Sequence, residues 1–159
     1  MPELIETRAA VASVFASSDA LDRLAPAGAY ACRVAPDEAM FVREPAAAEA
    51  LLRDAGAVTA GDPDAVVVDA TDGWTVWTLA GEDSREAFAR LSHVELPESG
   101  YIHGEVLRLP VRIVAGPSAL HLFVPSMWRT HVHDKILTRC RDMALTEGAR
   151  AADWDGAPR

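Results

Sequence analysis

The stretch VVVDATDGWTVWTLAGEDSREAFARLSHVELPESG, residues 66–100, decides the fold class. Val66–Ala70 and Trp74–Ala80 are apolar runs rich in β-branched and aromatic residues, the composition of strands. Thr71, Asp72 and Gly73 separate them, which predicts a hairpin. Alternation along the second run places Trp74, Val76 and Thr78 on one face and Thr75, Trp77 and Leu79 on the other. Gly81 ends that strand. Asp83 and Glu86 form a D-x-x-E start for a helix over about 84–92, with Ala87, Phe88 and Leu91 on its buried side. LPESG then reads as a turn.

The flanks repeat this alternation. YACRV and AMFV are short β-prone runs joined by APDE, which predicts a hairpin. EPAAAEALLRDAG reads as a helix, with Pro45 in its first turn and Gly56 beyond its end. EVLRLPVRIVA and ALHLFVPS are two strands around Gly116 and Pro117. Ser126 is an N-cap candidate for the closing helix, MWRTHVHDKILTRCRDMA. Helical spacing of Leu4, Ile5, Val11, Val14, Phe15, Leu21 and Leu24 predicts an N-terminal helical arm over 1–25. The polar TEGARAADWDGAPR predicts a flexible C-terminal tail over 146–159. A single domain over 26–145 lies between them. Hairpins alternating with helices define an α+β fold, an antiparallel sheet with helices on one face.

The chain has 159 residues, half of them hydrophobic, enough apolar mass for a core. No run reaches the roughly 18–20 apolar residues of a membrane-spanning helix, and the N-terminus lacks the basic start of a secretory signal. The expected location is the cytoplasm, with no membrane contact. Cys32 and Cys140, far apart in the chain, are expected to be free thiols. A net charge of -9 opposes binding to nucleic acid. The richness in Ala, Val, Arg and Asp, with Lys135 as the single lysine, suggests a GC-rich bacterial source.

Chemistry-bearing motifs are sparse. His131 and His133 sit about 200° apart on a helix, so they do not hold one ion together. Packing or an interface is the expected role of His133, alongside Trp128, Val132, Ile136, Leu137 and Cys140. Asp62, Asp64, Asp69 and Asp72 lack calcium-loop spacing and suit turns and caps. Asp83, Ser84 and His93 lack the sharp elbow of a serine nucleophile. No phosphate-cradling glycine loop occurs. The expectation is therefore no catalytic residue and no metal. In SGYIHGEV, Gly100 and Gly104 bracket Tyr101 and His103. A tight turn before a strand is the ordinary reading, and Tyr101 and His103 are the candidates for a small-molecule contact. Trp74, Trp77, Trp128 and His131 are the candidates for a partner interface.

Four segments carry a family resemblance: Pro36-Asp37-Glu38, Asp69-Ala70-Thr71-Asp72-Gly73, Gly81-Glu82-Asp83-Ser84 and Glu95-Leu96. With the strand pair and helix that follow, the pattern over residues 30–138 resembles the gamma subunit of heterotetrameric sarcosine oxidase. It is similar also to the folate-binding fold of the glycine-cleavage T-protein. It departs from the family at Gly81–Ser84, where G-P-D-A is usual, and at Glu95, where aspartate is usual. The K-G-C-Y-x-G-Q signature of the tRNA-modifying relatives is missing. The resemblance implies a small, non-catalytic subunit that carries no cofactor itself. Its partners would be larger flavin- and folate-binding subunits, with flavin, NAD and tetrahydrofolate on or between them. The complex would oxidatively demethylate sarcosine and pass the one-carbon unit to folate. The alternatives are a stand-alone folate-binding or one-carbon transfer protein, homodimeric if it completes its own pocket, and a structural or regulatory domain that reuses the fold.

Overall fold

The structure, a computed structural model, describes residues 1–24 and 28–156, the Leu24 side chain excepted. In chain order the strands are β1 (Glu3–Arg8), β2 (Ala10–Phe15), β3 (Tyr30–Ala35), β4 (Glu38–Arg43), β5 (Val66–Asp69), β6 (Trp74–Ala80), β7 (Gly100–Val106), β8 (Leu109–Ala115), β9 (Ala119–Pro125), β10 (Thr146–Glu147) and β11 (Ala152–Asp153). The helices are α1 (Ser18–Leu24), α2 (Ala48–Thr59), α3 (Ser84–Ala89) and α4 (Arg129–Arg139). The α+β class stands. Every strand pair whose register is defined is antiparallel except β1 with β10, where Glu3 pairs with Thr146 and Leu4 with Glu147.

The chain divides into two compact units, Met1–Thr7 with Gly73–Ala152, and Arg8–Asp72 with Asp153–Gly156. This replaces the expected single domain over 26–145 flanked by an arm and a tail. The second unit holds a four-stranded sheet in the order β3-β4-β2-β5. Its connectivity, β-α-β-β-α-β, is the split arrangement of ferredoxin-like domains. Ala10, Ala12 and Val14 of β2 and Ala39 and Phe41 of β4 form one face. That face packs on Ala20 and Leu21 of α1 and Leu51 and Ala55 of α2. Burying one large apolar side chain such as Phe41 contributes about 1.5–3 kcal/mol.

The first unit holds the larger sheet, ordered β10-β1-β6-β9-β8-β7. One face carries Leu4, Trp77, Leu79, Ile113, Leu120, Leu122 and Val124, which pack on Ala87 and Phe88 of α3 and Val132 and Ile136 of α4. The opposite face carries a hydrogen-bonded row. Thr7 Oγ1 and Thr78 Oγ1 lie 2.7 Å apart, and Thr78 Oγ1 lies 2.8 Å from His121 Nδ1. The parity read for residues 74–79 therefore holds: Trp77 and Leu79 face the helices and Thr78 faces away.

Several local readings change. Residues 1–24 form β1, β2 and α1 in place of a helical arm. Their apolar residues suit a helix and a pair of strands equally well, and pairing of β1 with β6 and of β2 with β4 decides the outcome. The hairpin expected at Thr71–Gly73 does not form. β5 pairs with β2, whereas β6 pairs with β1 and β9, so this turn carries the chain from one unit to the other. Helix α2 continues through Gly56 to Thr59, whose Oγ1 donates to the Ala55 carbonyl at 2.9 Å. Neither Asp83 nor Ser126 caps a helix through its side chain. The expected flexible tail contains regular structure. It adds β10 and β11 to the sheet and buries Trp154, while its last three positions lie outside the described residues.

The strand read over 105–115 breaks in two. β7 and β8 form a hairpin whose turn is Leu107–Arg108, both at positive φ, 52° and 66°. Such primed two-residue turns favour Asn-Gly, because a Cβ at positive φ meets the backbone at a cost of about 1 kcal/mol or more per residue. Replacing the pair by Asn-Gly is expected to raise the unfolding free energy by about 0.5–1 kcal/mol in urea titration. An unchanged or lowered value would mean that the turn is not strained.

Candidate functional site

A cleft with a largely polar lining lies in the first unit, beneath the start of α4. Its volume is about 450 Å³, and Leu4, Glu6, Trp77, Arg129, His133 and Glu147 line it together with the strap Gly148–Ala151. β6 supplies Trp77 as the floor and β1 supplies Leu4 and Glu6. α4 supplies Arg129 and His133, four residues apart and so on one helical face. Gly148 lets the strap close on β1, since a Cβ there would lie 3.1 Å from Ile5 Cγ1.

Two ion pairs brace the cleft. Arg129 Nη2 donates to Glu6 Oε2 at 2.6 Å. His133 Nε2 lies 2.8 Å from Glu147 Oε2, with Nδ1 3.1 Å from Asp134 Oδ1. The imidazole packs on the Trp77 indole, ring centroids 5.0 Å apart. The Trp77 Nε1–H is buried and has no acceptor among the described residues. Burial pulls the His133 pKa down, but the hydrogen bonds and charges of Glu147 and Asp134 outweigh it and leave the value above 6.5.

A raised folded pKa stabilises through the protonated form. The contribution is complete below the unfolded value of about 6.5 and disappears as pH rises through the folded value. Stability is therefore expected to fall as pH rises above about 6.5, and only modestly, since Glu147 is more than half exposed. His133→Gln should flatten that slope in urea titrations at each pH, and an equal slope in both proteins would exclude His133 as its source.

The other sequence candidates occupy separate places. Trp74 is half-buried on the opposite face of β6, with the Arg112 guanidinium 4.7 Å from its ring. Trp128 precedes α4 and is 40 % exposed, beside Met127 at 83 %. Its ring meets His131 edge-on at 5.7 Å. His131 and His133 thus point to different surroundings, as their spacing requires. Trp128 leaves the apolar arc expected for it, while Val132, Ile136 and Cys140 stay buried.

Tyr101 and His103 lie side by side on the edge strand β7, Tyr101 Oη 3.4 Å from His103 Nδ1. The segment is a strand and not the tight turn read from its two glycines. Gly104 serves a close approach, as an added Cβ would lie 2.5 Å from Val94 Cγ2.

Turn chemistry accounts for two of the aspartates. Asp62 accepts from the Ser17 and Asp64 backbone N–H groups at 2.8 and 3.0 Å, which hold its carboxyl below the usual range. Asp69 accepts from Thr71 N–H at 3.1 Å. Asp83 pairs with the N-terminal amine at 3.2 Å and Ser84 is buried. No hydrogen bond joins Asp83, Ser84 and His93. Cys32 and Cys140 are both buried. Among the described residues no group of three or more His, Cys, Asp or Glu side chains could hold a metal ion. No helix there is long and apolar enough to cross a membrane. Sequence reading missed Glu6, Arg129 and Glu147, because each gains its role only from a distant partner.

No known family pattern matches the sequence, and no curated protein matches it. The fold does have solved counterparts. A chain of the heterotetrameric sarcosine oxidase of Corynebacterium sp. U-96 superposes with a TM-score of 0.77 at 16% identity, covering 92% of this chain and 87% of that one. The glycine cleavage system aminomethyltransferase T of Bartonella henselae superposes with a TM-score of 0.66 at 12% identity. That match covers 92% of this chain and 47% of the other, so the chain spans about half of the aminomethyltransferase. The fold is thus the one that a sarcosine oxidase chain and the T-protein share. At these identities the likeness speaks for the fold alone.

Proposed function

We propose that this chain is a gamma-like accessory subunit of a cytoplasmic, heteromeric, folate-linked oxidative demethylase related to sarcosine oxidase. The observation that carries the reading is mutual coverage: 92% of this chain matches 87% of a chain from a heterotetrameric sarcosine oxidase, so the two are of similar length. The T-protein, by contrast, is matched over 47% of its length. The chain contributes structure and a docking surface. Larger partner subunits hold flavin, NAD and tetrahydrofolate and carry out the oxidation and the one-carbon transfer. The exposed Met127 and Trp128, with His131, form the docking patch. An exposed aromatic beside an exposed thioether on one turn has the composition of an interface centre.

The test is co-expression of the full chain with the genes beside its own, followed by sizing and an absorption spectrum. A complex of fixed stoichiometry with a flavin spectrum, alongside an isolated chain that is colourless and inert, is the expected result. A chain that ignores its neighbours yet binds tetrahydrofolate would overturn this reading in favour of a stand-alone folate-binding protein.

A further inference from the structure

A second cleft of the first unit, about 620 Å³, lies against the strained β7–β8 turn. Arg90, Arg108, Arg139, His93 and Glu105 line it, with Leu91, Val94 and Leu107 as its apolar wall. Three arginines face one glutamate in a chain whose net charge is -9. Arg90 is already engaged with Glu86 and Asp142. Arg108 and Arg139 are exposed, and neither has a hydrogen-bond or ion-pair partner among the described residues. Arg108 and Arg139 thus offer two planar guanidinium forks at one cleft, the geometry that matches a carboxylate or phosphate.

The frame of the cleft is held firmly. Leu107 N–H donates to the Leu91 carbonyl at 3.1 Å, and Ser92 Oγ donates to the Glu105 carbonyl at 2.6 Å. Arg85 donates to the Pro97 and Glu98 carbonyls at 2.7 Å, which anchors the loop that carries His93 and Val94. Arg108 itself stands at φ 66°, where glycine would be at ease. A bulky residue kept in a strained turn is a signature of a functional position. Here the strain presents Leu107 to the apolar wall and Arg108 to the charged rim of one cavity.

We infer that this cleft binds a small organic anion with an apolar body and a head of two negative charges, a phosphate monoester or a paired dicarboxylate. Arg108 and Arg139 grip the head through their planar forks, and Leu91, Val94 and Leu107 receive the body. The inference does not depend on the accessory-subunit reading, and either can fail while the other stands.

The test is calorimetric titration of the full chain with phenyl phosphate and with phthalate, using phenol and inorganic phosphate as partial ligands. Saturable binding of either probe, weaker binding of both partial ligands and weakening by added salt are expected. Arg108→Gln and Arg139→Gln, both exposed and so compatible with folding, should each reduce affinity about tenfold or more. Absence of saturable binding to both probes overturns the site. Equal affinity in the double variant overturns the role of the arginines. Phenol binding as well as phenyl phosphate, or inorganic phosphate doing so, overturns the two-part ligand.

Discussion

Trp154→Ala is expected to lower the unfolding free energy by about 3–5 kcal/mol, the usual cost of emptying a buried aromatic site. The residue lies near the end of a polar, glycine-bearing segment, yet only 3% of its surface is exposed. Its indole meets Tyr30 at 6.0 Å with the rings inclined at 67°, an edge-to-face pair. Its backbone N–H donates to the Arg8 carbonyl at 2.8 Å, so truncation removes the side chain from an anchored position. The neighbouring Arg8–Asp153 ion pair, 2.7 Å but more than half exposed on both sides, contributes little. Since a domain of this size has about 5–15 kcal/mol in all, the variant should melt roughly 10 °C lower. Asp153→Ala should stay near the parent melting temperature. A Trp154→Ala protein that melts with the parent would show that the segment does not pack in solution.

Trp128→Ala carries the second large effect, on assembly. Trp128 and Met127 contribute little to the core at their exposures of 40 % and 83 %, so a Met127→Ser, Trp128→Ala protein should fold and melt like the parent. At an interface centre, loss of a tryptophan costs about 2–4 kcal/mol, which weakens association by 30-fold or more. The check is partner retention on sizing together with the dissociation rate of the immobilised chain. Loss of the complex with an unchanged melting temperature is expected. Full retention would move the docking surface elsewhere and leave the patch unexplained. His131→Ala, which removes only the edge contact, should cost less than Trp128→Ala.

These two tryptophans also show where sequence reading runs out. Trp128 falls in the apolar arc of α4 by spacing, yet it precedes the helix in a tight turn and turns outward. Trp154 is surrounded in sequence by Ala, Asp and Gly, with no periodicity to mark it for burial. In both cases side-chain type says that the residue is costly to expose, and only its neighbours in space say whether it is exposed. The same holds for the cleft beneath α4. His133 could be assigned to packing from its helical position, but Glu147, which raises its pKa, lies 14 residues further along. Arg129 and Glu6 are separated by 123 residues.

The residues alone determined the alternation of strands and helices, the α+β class, and the two faces of β6. They also determined the opposition of His131 and His133. Each of these follows from a period of 2.0 or 3.6 residues, a local property of backbone geometry. Tertiary structure decided which strands pair. It sent β5 to β2, and it placed β6 between β1 and β9. It turned the N-terminal arm into strands, tied down the C-terminal segment, and brought Arg90, Arg108 and Arg139 to one cleft. Strand partners are chosen by burial and pairing energies summed over residues far apart in the chain, and no local window of sequence contains that sum.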